Sequence, residues 1–171
     1  MKKMLLLLGI GLAVLLLLPL LIGLFLPAQR SFIRTHTLQA PINVVFAMVT
    51  DLKGQESWRS DLQSIEILDD TYGQEVWLET PKGQLPIRFK SLQKIENQRY
   101  EMALEGKGFQ GHWLGIFEST PANGTKVTFK ETATIANPYL RTFAYFFVDL
   151  NQTMDIYLRD LATKLGESYE N

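Results

Sequence analysis

Hydrophobic and polar positions divide the chain into three parts. Residues 4–26 form an unbroken apolar segment of 23 residues, none of them charged. Between about residues 30 and 135, apolar and polar positions alternate in short runs, which indicates half-buried β-strands. From Pro138 to about Leu165 the apolar positions recur in steps of three and four, which predicts one long amphipathic helix with Asn137 as its N-cap.

The apolar face of this predicted C-terminal helix changes along its length. Its positions are Leu140, Phe143, Phe147, Leu150, Met154, Leu158, Leu161 and Leu165. In the first three turns apolar residues go nearly all the way round, whereas from Asp149 onward they form only one stripe. The start of the helix must therefore bury more than one face. Two short helices, an acyl chain or the bilayer could each cover it.

The middle of the chain predicts an antiparallel meander. A strand at 31–38 is followed by two short helical segments, at 40–51 and 55–60. Strand candidates then occupy 62–69, 74–80, 84–94, 98–105, 111–120 and 125–135, with turn residues between them, for example at 69–73. Connections this short join neighbouring antiparallel strands. One long helix against about seven such strands predicts an α+β domain with a hollow between helix and sheet.

Alternation within the strands predicts which residues face the hollow. It assigns Leu114 and Ile116 of one strand to the inner face, and Trp77 and Trp113 to the outer face. With the start of the C-terminal helix added, the expected lining of the hollow is Leu85, Ile87, Phe89, Met102, Leu104, Leu114, Ile116, Phe129, Phe143 and Phe147.

The apolar segment from Met4 to Leu26 is long enough to cross a bilayer, at roughly 34 Å of helix. It is longer than the apolar part of a cleaved signal peptide, about 7 to 15 residues, and no small-x-small cleavage site follows it. We therefore expect a membrane anchor at 1–27 and a separate domain at 28–171, with a cleaved signal as the alternative. The flanking basic residues favour a cytoplasmic N-terminus and a domain on the periplasmic or extracellular face.

Composition limits the function classes. The 171 residues suit one globular domain plus a short accessory segment, and the absence of cysteine excludes disulfides, thiolate metal sites and cysteine nucleophiles. Beyond Leu26 the chain has 15 basic and 18 acidic residues, so nucleic acid is not an expected partner. His36 and His112 are too far apart in the sequence to indicate a metal site, and no cofactor is expected.

Three residues are weak candidates for catalysis. Glu118 and Glu131 fall on predicted inner faces of neighbouring strands, where two carboxylates could share a proton and one could act as an acid. His112 shares the predicted face of Leu114 and could act as an acid or base. The alternative is that all three lie at strand ends, solvated or in ion pairs.

The segment Ala-Pro-Ile-Asn-Val-Val-Phe-Ala-Met-Val-Thr-Asp at 40–51, with Trp58 shortly after it, resembles the START-like superfamily. This superfamily, also called SRPBCC, includes polyketide cyclase/dehydrase and lipid-transport domains. The resemblance covers residues 30–166 and implies a helix-grip fold of the Bet v 1 type, in which a curved antiparallel sheet wraps a C-terminal helix around an apolar cavity. The N-terminal apolar segment departs from the commonest members and indicates work at a membrane.

Three functions remain open on the sequence. The first is a membrane-tethered domain that binds a hydrophobic small molecule, such as a lipid, isoprenoid or quinone. The second is a cyclase or dehydratase acting on such a ligand, through Glu118, Glu131 or His112. The third is an accessory protein that binds another membrane protein. Fold alone does not choose among them.

Overall fold

The computed structural model describes residues 2–68 and 73–169; the predicted turn at 69–73 lies outside them except for Gly73, as does the side chain of Leu150. The helices are α1 (Lys2–Phe25), α2 (Ile42–Thr50), α3 (Pro138–Phe147) and α4 (Leu150–Lys164), with a 3₁₀ turn at Gly54–Ser57. The strands are β1 (Gln29–Leu38), β2 (Leu62–Leu68), β3 (Val76–Pro81), β4 (Ile87–Ile95), β5 (Arg99–Gly106), β6 (Phe109–Ser119) and β7 (Thr125–Thr134).

The seven strands form one antiparallel sheet in the order β1-β7-β6-β5-β4-β3-β2. Strands β2 to β7 are neighbours in sequence as well as in space, so the predicted meander is confirmed. Register shifts between Leu62 and Ser64 and between Ser91 and Gln93 interrupt the ladders. Such irregularities increase local twist and bend a sheet. The predicted α+β architecture is confirmed.

Helix α4 packs on the inner side of the sheet. Its residues Leu158 and Leu161 are fully buried. Polar contacts hold the helix at two places. Arg34 of β1 forms a salt bridge of 2.7 Å to Asp155, in the first half of α4. Glu167, just after α4, accepts hydrogen bonds from the backbone N–H groups of residues 39 and 40. The core therefore depends on α4 being held in one position against the sheet.

The prediction of one continuous C-terminal helix is wrong, because the chain breaks it between α3 and α4. Val148 has extended backbone angles (φ −115°, ψ 114°), and so does Asp149 (φ −104°, ψ 97°). The Asp149 carboxylate accepts hydrogen bonds from the N–H groups of Asn151 and Gln152 and so caps α4 as a new helix. Asn137 caps α3 in the same way, as predicted.

Helix α3 packs against the end of α1. Gly23 permits the close approach, because a Cβ atom there would lie 1.9 Å from the carbonyl oxygen of Pro138. Thr142 donates to the carbonyl oxygen of Pro19 at 2.7 Å. Arg141 donates to the carbonyl oxygen of Gly23 at 2.9 Å and to that of Leu26 at 3.2 Å. The carbonyl of Gly23 lies in the last turn of α1 and that of Leu26 directly follows the helix, where carbonyls lack partners within the helix.

Two predictions about sheet faces are wrong. Trp77, expected on the outer face, is completely buried on the inner one and stacks on Phe89 with ring centroids 5.4 Å apart. Trp113 also points inward, with its ring 4.9 Å from that of Phe129. Strand β6 therefore has the opposite phase from the one predicted, which places Leu114 and Ile116 on the outer face.

Candidate functional site

A cavity of about 530 Å³ lies between the sheet and α4 and extends to α3 and to the residues that follow α1. Its volume lies within the range of small-molecule sites, about 300–1,000 Å³. Most of the wall is apolar and comes from the inner faces of β3 to β7 and from α4. The main apolar contributors are Trp77, Ile87, Phe89, Met102, Leu104, Phe109, Trp113, Phe129, Met154 and Ile156.

Half of the predicted lining residues reach this cavity. They are Ile87, Phe89, Met102, Leu104 and Phe129. Leu85 lies before β4 and is 60% exposed. Leu114 and Ile116 do not line it because of the phase of β6. Phe143 and Phe147 do not line it either; they lie on the exposed face of α3, at 59% and 74% exposure.

Sequence reasoning missed the aromatic residues that β6 contributes. Phe109, Trp113 and Phe117 share one phase of the strand with two glycines. Gly115 makes room for the indole, since a Cβ atom there would lie 2.5 Å from the Trp113 ring. The sequence did contain a signal for this inner face. Along one phase of β6, glycine alternates with large aromatic residues, and glycine within a strand often marks a site where another group packs closely against the backbone.

Glu131, on β7, is a titratable residue that lines the cavity. Its position follows from strand phase, since it comes two residues after Phe129, and Trp113 is its cross-strand partner. Burial, followed by the nearby charge of Glu79, raises the pKa of Glu131 from 4.5 to about 7. Within the described residues its carboxyl has no hydrogen-bond or salt-bridge partner. A neutral carboxyl at this position can donate a hydrogen bond into the cavity.

Glu118 and His112 lie elsewhere, and the predicted pairing of Glu118 with Glu131 is wrong. Glu118 is exposed and forms a salt bridge of 3.1 Å with Lys126. His112 follows the outward phase of β6, and its Nε2 contacts the Glu101 carboxylate at 2.5 Å. The physical reason is the same strand phase that places Leu114 outside.

A charged cluster closes the part of the cavity next to β3. Arg59 is almost completely buried and donates to Glu79 at 2.7 Å, to Gln55 at 3.0 Å and to both oxygens of Asp61. Burial opposes its charge, but Glu79 and Asp61 raise the pKa of Arg59 above its ordinary value. The guanidinium also lies 5.2 Å from the ring centre of Tyr157, on α4. The charged groups of this cluster are paired and hydrogen-bonded with one another, which is the condition under which such charges can be buried.

Tyr157 brings a hydroxyl group to the same wall. Burial raises the pKa of this phenol, so it stays protonated. Among the described residues it has aromatic contacts with Trp58 and Phe129 but no hydrogen-bond partner. Among the described residues, Tyr157 and Glu131 are thus polar groups on a mostly apolar wall without a hydrogen-bond partner, and both can bind a polar atom of a ligand.

The cavity extends to the place where α1 meets the domain. Its wall there includes Pro27, Ala28, Arg30, Arg141, Ala144, Tyr145 and Val148. Arg30 lies over two aromatic rings, 4.9 Å from the centre of Phe32 and 5.1 Å from that of Tyr145. We call this region the α3 end of the cavity. Residues 2–68 and 73–169 contain no group of three His, Cys, Asp or Glu side chains placed to hold a metal ion.

Solved structures share this arrangement of sheet and helices. The Zhui aromatase/cyclase from Streptomyces sp. R1128 matches with a TM-score of 0.66 at 12% identity, over 81% of this chain and 94% of that one. A START superfamily protein from Mycobacterium smegmatis matches at 0.59 and 14% identity, over 80% and 97%. Ara h 8.0201 matches at 0.59 and 15% identity, over 81% and 99%. No protein-family model and no curated protein matches the chain.

The molecule is a helix-grip domain, in which a curved antiparallel sheet holds a C-terminal helix and a cavity between them. More narrowly, it has the START-like fold, also called SRPBCC or Bet v 1-like, as its sequence indicated. At these identities the likeness shows the fold alone. The N-terminal helix, 24 residues from Lys2 to Phe25, is long and apolar enough to cross a membrane.

Proposed function

We propose that this protein is a membrane-tethered START-like domain that binds a hydrophobic small molecule, such as a lipid, isoprenoid or quinone. The observation that supports the proposal is the cavity of about 530 Å³, whose wall runs from the buried aromatic residues to the segment joining α1 to β1. Pro27 and Ala28, which follow α1 after Leu26, are themselves part of the lining, so a ligand dissolved in the membrane is held close to the site at high effective concentration.

The wall and its polar groups define the ligand class that we propose. Apolar surface dominates, so binding comes from removing ligand and wall from water, at about 25 cal/mol per Å² of apolar area. Glu131 in its neutral form and Tyr157 can each donate a hydrogen bond, which suits a carbonyl, ester or hydroxyl oxygen on the ligand. A quinone, a sterol-like alcohol or an acyl ester fits this description.

The proposed topology follows from the same tether. We place residues 1–27 as an uncleaved anchor with its N-terminus in the cytoplasm, and residues 28–171 as the binding domain on the outer face. The chain leaves α1 at Phe25 and enters β1 at Gln29, so the domain stays against the membrane surface.

Lipid capture tests the binding function. The full chain is purified in a mild detergent, exchanged into lipid-free amphipol and extracted for mass spectrometry. We expect a co-purifying apolar molecule that Ala133→Trp, which fills the cavity, reduces several-fold. Ala103→Trp is the matched control, because residue 103 lies on β5 opposite the outward-facing His112 and does not line the cavity, so its substitution leaves the cavity open. Equal ligand content in both variants would contradict the proposal.

A cyclase or dehydratase is the second candidate, and Glu131 is the observation that favours it. A carboxyl with a pKa of about 7 in an apolar cavity is suited to both giving and taking a proton near neutral pH. In a dehydration, it gives its proton to the departing hydroxyl and takes one from the neighbouring carbon, so water leaves and the carboxyl is restored. One of the structural neighbours is an aromatase/cyclase.

Glu131→Gln separates the two functions. Glutamine keeps the size of the side chain and its ability to donate a hydrogen bond, but it cannot transfer a proton. If the protein binds without catalysis, the variant retains the captured ligand unchanged. If the protein is an enzyme, the variant retains ligand and the chemical form of that ligand changes, from product to substrate, in the mass spectrum.

A further inference from the structure

We propose that α3 is itself embedded in the outer boundary of the bilayer, beside the last turns of α1, with its exposed aromatic face in lipid. The inference rests on the proposed tether and goes beyond it, because a tether alone would leave α3 in water. It assigns to the lipid bilayer a surface of the folded domain that no contact in the structure covers among the described residues.

The first observation is the exposed surface of α3. Of the eleven residues from Pro138 to Val148, only Arg141 is charged. Large apolar side chains that do not line the cavity are exposed along the segment: Tyr139 43%, Leu140 44%, Phe143 59%, Phe146 62% and Phe147 74%. The Phe143 and Phe147 rings contact each other, and so do those of Tyr145 and Phe146. Patches of this kind on folded proteins mark interaction sites, including sites for membranes.

The second observation is the height at which α3 contacts α1. Thr142 donates to the carbonyl oxygen of Pro19, which comes six residues before Phe25, the last residue of α1. At about 1.5 Å per residue, this contact is about 9 Å before the end of the helix. A helix of 24 residues, about 36 Å long, extends about 3 Å beyond each side of a hydrocarbon core of about 30 Å. The Pro19 contact therefore lies about 6 Å inside that core.

The third observation explains how α3 tolerates its one charge there. The Arg141 guanidinium donates to the carbonyl oxygens of Gly23, Leu26, Ile135 and Ala136, all between 2.9 and 3.2 Å. The carbonyls of Gly23 and Leu26 lie in the last turn of α1 and directly after it, at the negative end of the helix dipole. Charged groups at membrane depth are paired in this way with backbone carbonyls.

The consequence concerns how the cavity is reached. Ala144, Tyr145 and Val148 line the cavity, while Phe143 and Phe146 are among the exposed residues of the same helix. Helix α3 is thus the partition between the cavity and the lipid. An embedded α3 places the α3 end of the cavity at the level of the acyl chains, so an apolar ligand can enter sideways from the bilayer without crossing water.

Site-directed spin labelling of the full chain tests the inference, since the protein contains no cysteine and each label is therefore unique. Single cysteines replace Phe146 on α3, Leu15 in the middle of α1 and Arg159 on the exposed side of α4. In phosphatidylcholine vesicles, collision of the label with oxygen is compared with collision with a water-soluble nickel complex. We expect the oxygen-to-nickel ratio at position 146 to be several-fold above that at 159 and close to that at 15.

The other outcomes overturn the inference in distinguishable ways. A label at 146 that collides with nickel as freely as the label at 159, while the label at 15 is in lipid, leaves the tether intact and places α3 in water. A label at 146 shielded from both reagents means that a second copy or another protein covers α3. A label at 15 that is itself exposed to nickel means that the proposed tether has failed. Phe143→Cys repeats the measurement one turn earlier, in case one variant misfolds.

Discussion

Helices α3 and α4 are consecutive in the chain and share one spacing of apolar residues, yet they bury them differently. On α4, Met154 and Leu158 are 3% and 0% exposed, whereas on α3 Phe143 and Phe147 are 59% and 74% exposed. A break of two extended residues is all that separates them. The same periodic stripe thus meets a protein core in one helix and open surface in the other.

The difference lies in the residues opposite the stripe. On α4 these residues are mostly Asn, Gln, Asp, Arg and Lys, so α4 is an amphipathic helix with one buried apolar face and one polar face toward solvent. Helix α3 has aromatic residues on both sides and a single charge. Two apolar faces need two apolar surroundings. The structure supplies one, the end of α1 and the cavity, and we propose the bilayer as the second.

Truncating one side chain on each helix gives the largest expected contrast. Leu158→Ala removes a fully buried side chain from the core and is expected to lower the free energy of unfolding by about 2–5 kcal/mol. Phe146→Ala removes a side chain that is 62% exposed, and the expected change is within about 0.5 kcal/mol. Urea titration of the full chain in detergent, followed by tryptophan fluorescence, measures both.

Equal losses in the two variants would break the comparison. They would mean that Phe146 is part of a protein core, and that α3 has a packing partner within the folded chain. A small loss for Leu158→Ala would instead mean that α4 does not hold the sheet together.

The next prediction concerns Glu131, in the wall of the cavity that both helices cover, and the pH dependence of stability. Folding raises the pKa of Glu131 from 4.5 to about 7, because burial disfavours the charged carboxylate. Between these two values the unfolded chain has lost the proton and the folded chain keeps it, so stability falls as pH rises. Glu131→Gln removes this dependence. At pH 8 we expect the variant to be more stable than the parent by roughly 1–3 kcal/mol, and at pH 4.5 about equal.

Glu118→Gln is the matched control for this measurement. That carboxylate is exposed on the next strand, in a surface ion pair, and its loss is expected to change the free energy of unfolding by less than about 1 kcal/mol. A parallel pH dependence in the parent and in Glu131→Gln would show that residue 131 is solvated, and would remove it from the candidate site.

Sequence patterns predicted the fold well because strand alternation and turn residues are local signals. They failed on β6, where Trp113 and Phe117 compete with Leu114 and Ile116 for the inner face, so hydrophobicity alone could not decide the phase. The residue that decides is Gly115, whose missing side chain gives room to the indole. The role of Gly115 can be inferred from the sequence only if Gly115 is considered together with Trp113 and Phe117, which lie on the same face of the strand.

The candidate site was predicted less completely, for a different reason. The inward position of Glu131 could be predicted because it lies two residues after Phe129, and strand alternation is a local signal. The cluster of Arg59 with Glu79 and Tyr157 could not be predicted, because those residues are far apart in the sequence and meet only after the sheet has closed around α4. The helix break at Asp149 did have a local signal, a good N-cap residue where the polar positions begin.

The smallest expected effect concerns the contact that holds α3 to α1. Thr142→Val keeps the shape of the side chain but removes the hydroxyl that donates to Pro19 at 2.7 Å, a loss of about 0.5–1.5 kcal/mol for a typical hydrogen bond. Because this bond joins α3 to α1 and not to the core, the loss should appear as faster hydrogen exchange of the α3 amides, with α4 unaffected. Thr163→Val, at an exposed position of α4, is the control and should change neither helix. Faster exchange in α4 as well would mean that the two helices open as one unit, and that the break at Val148 does not separate them energetically.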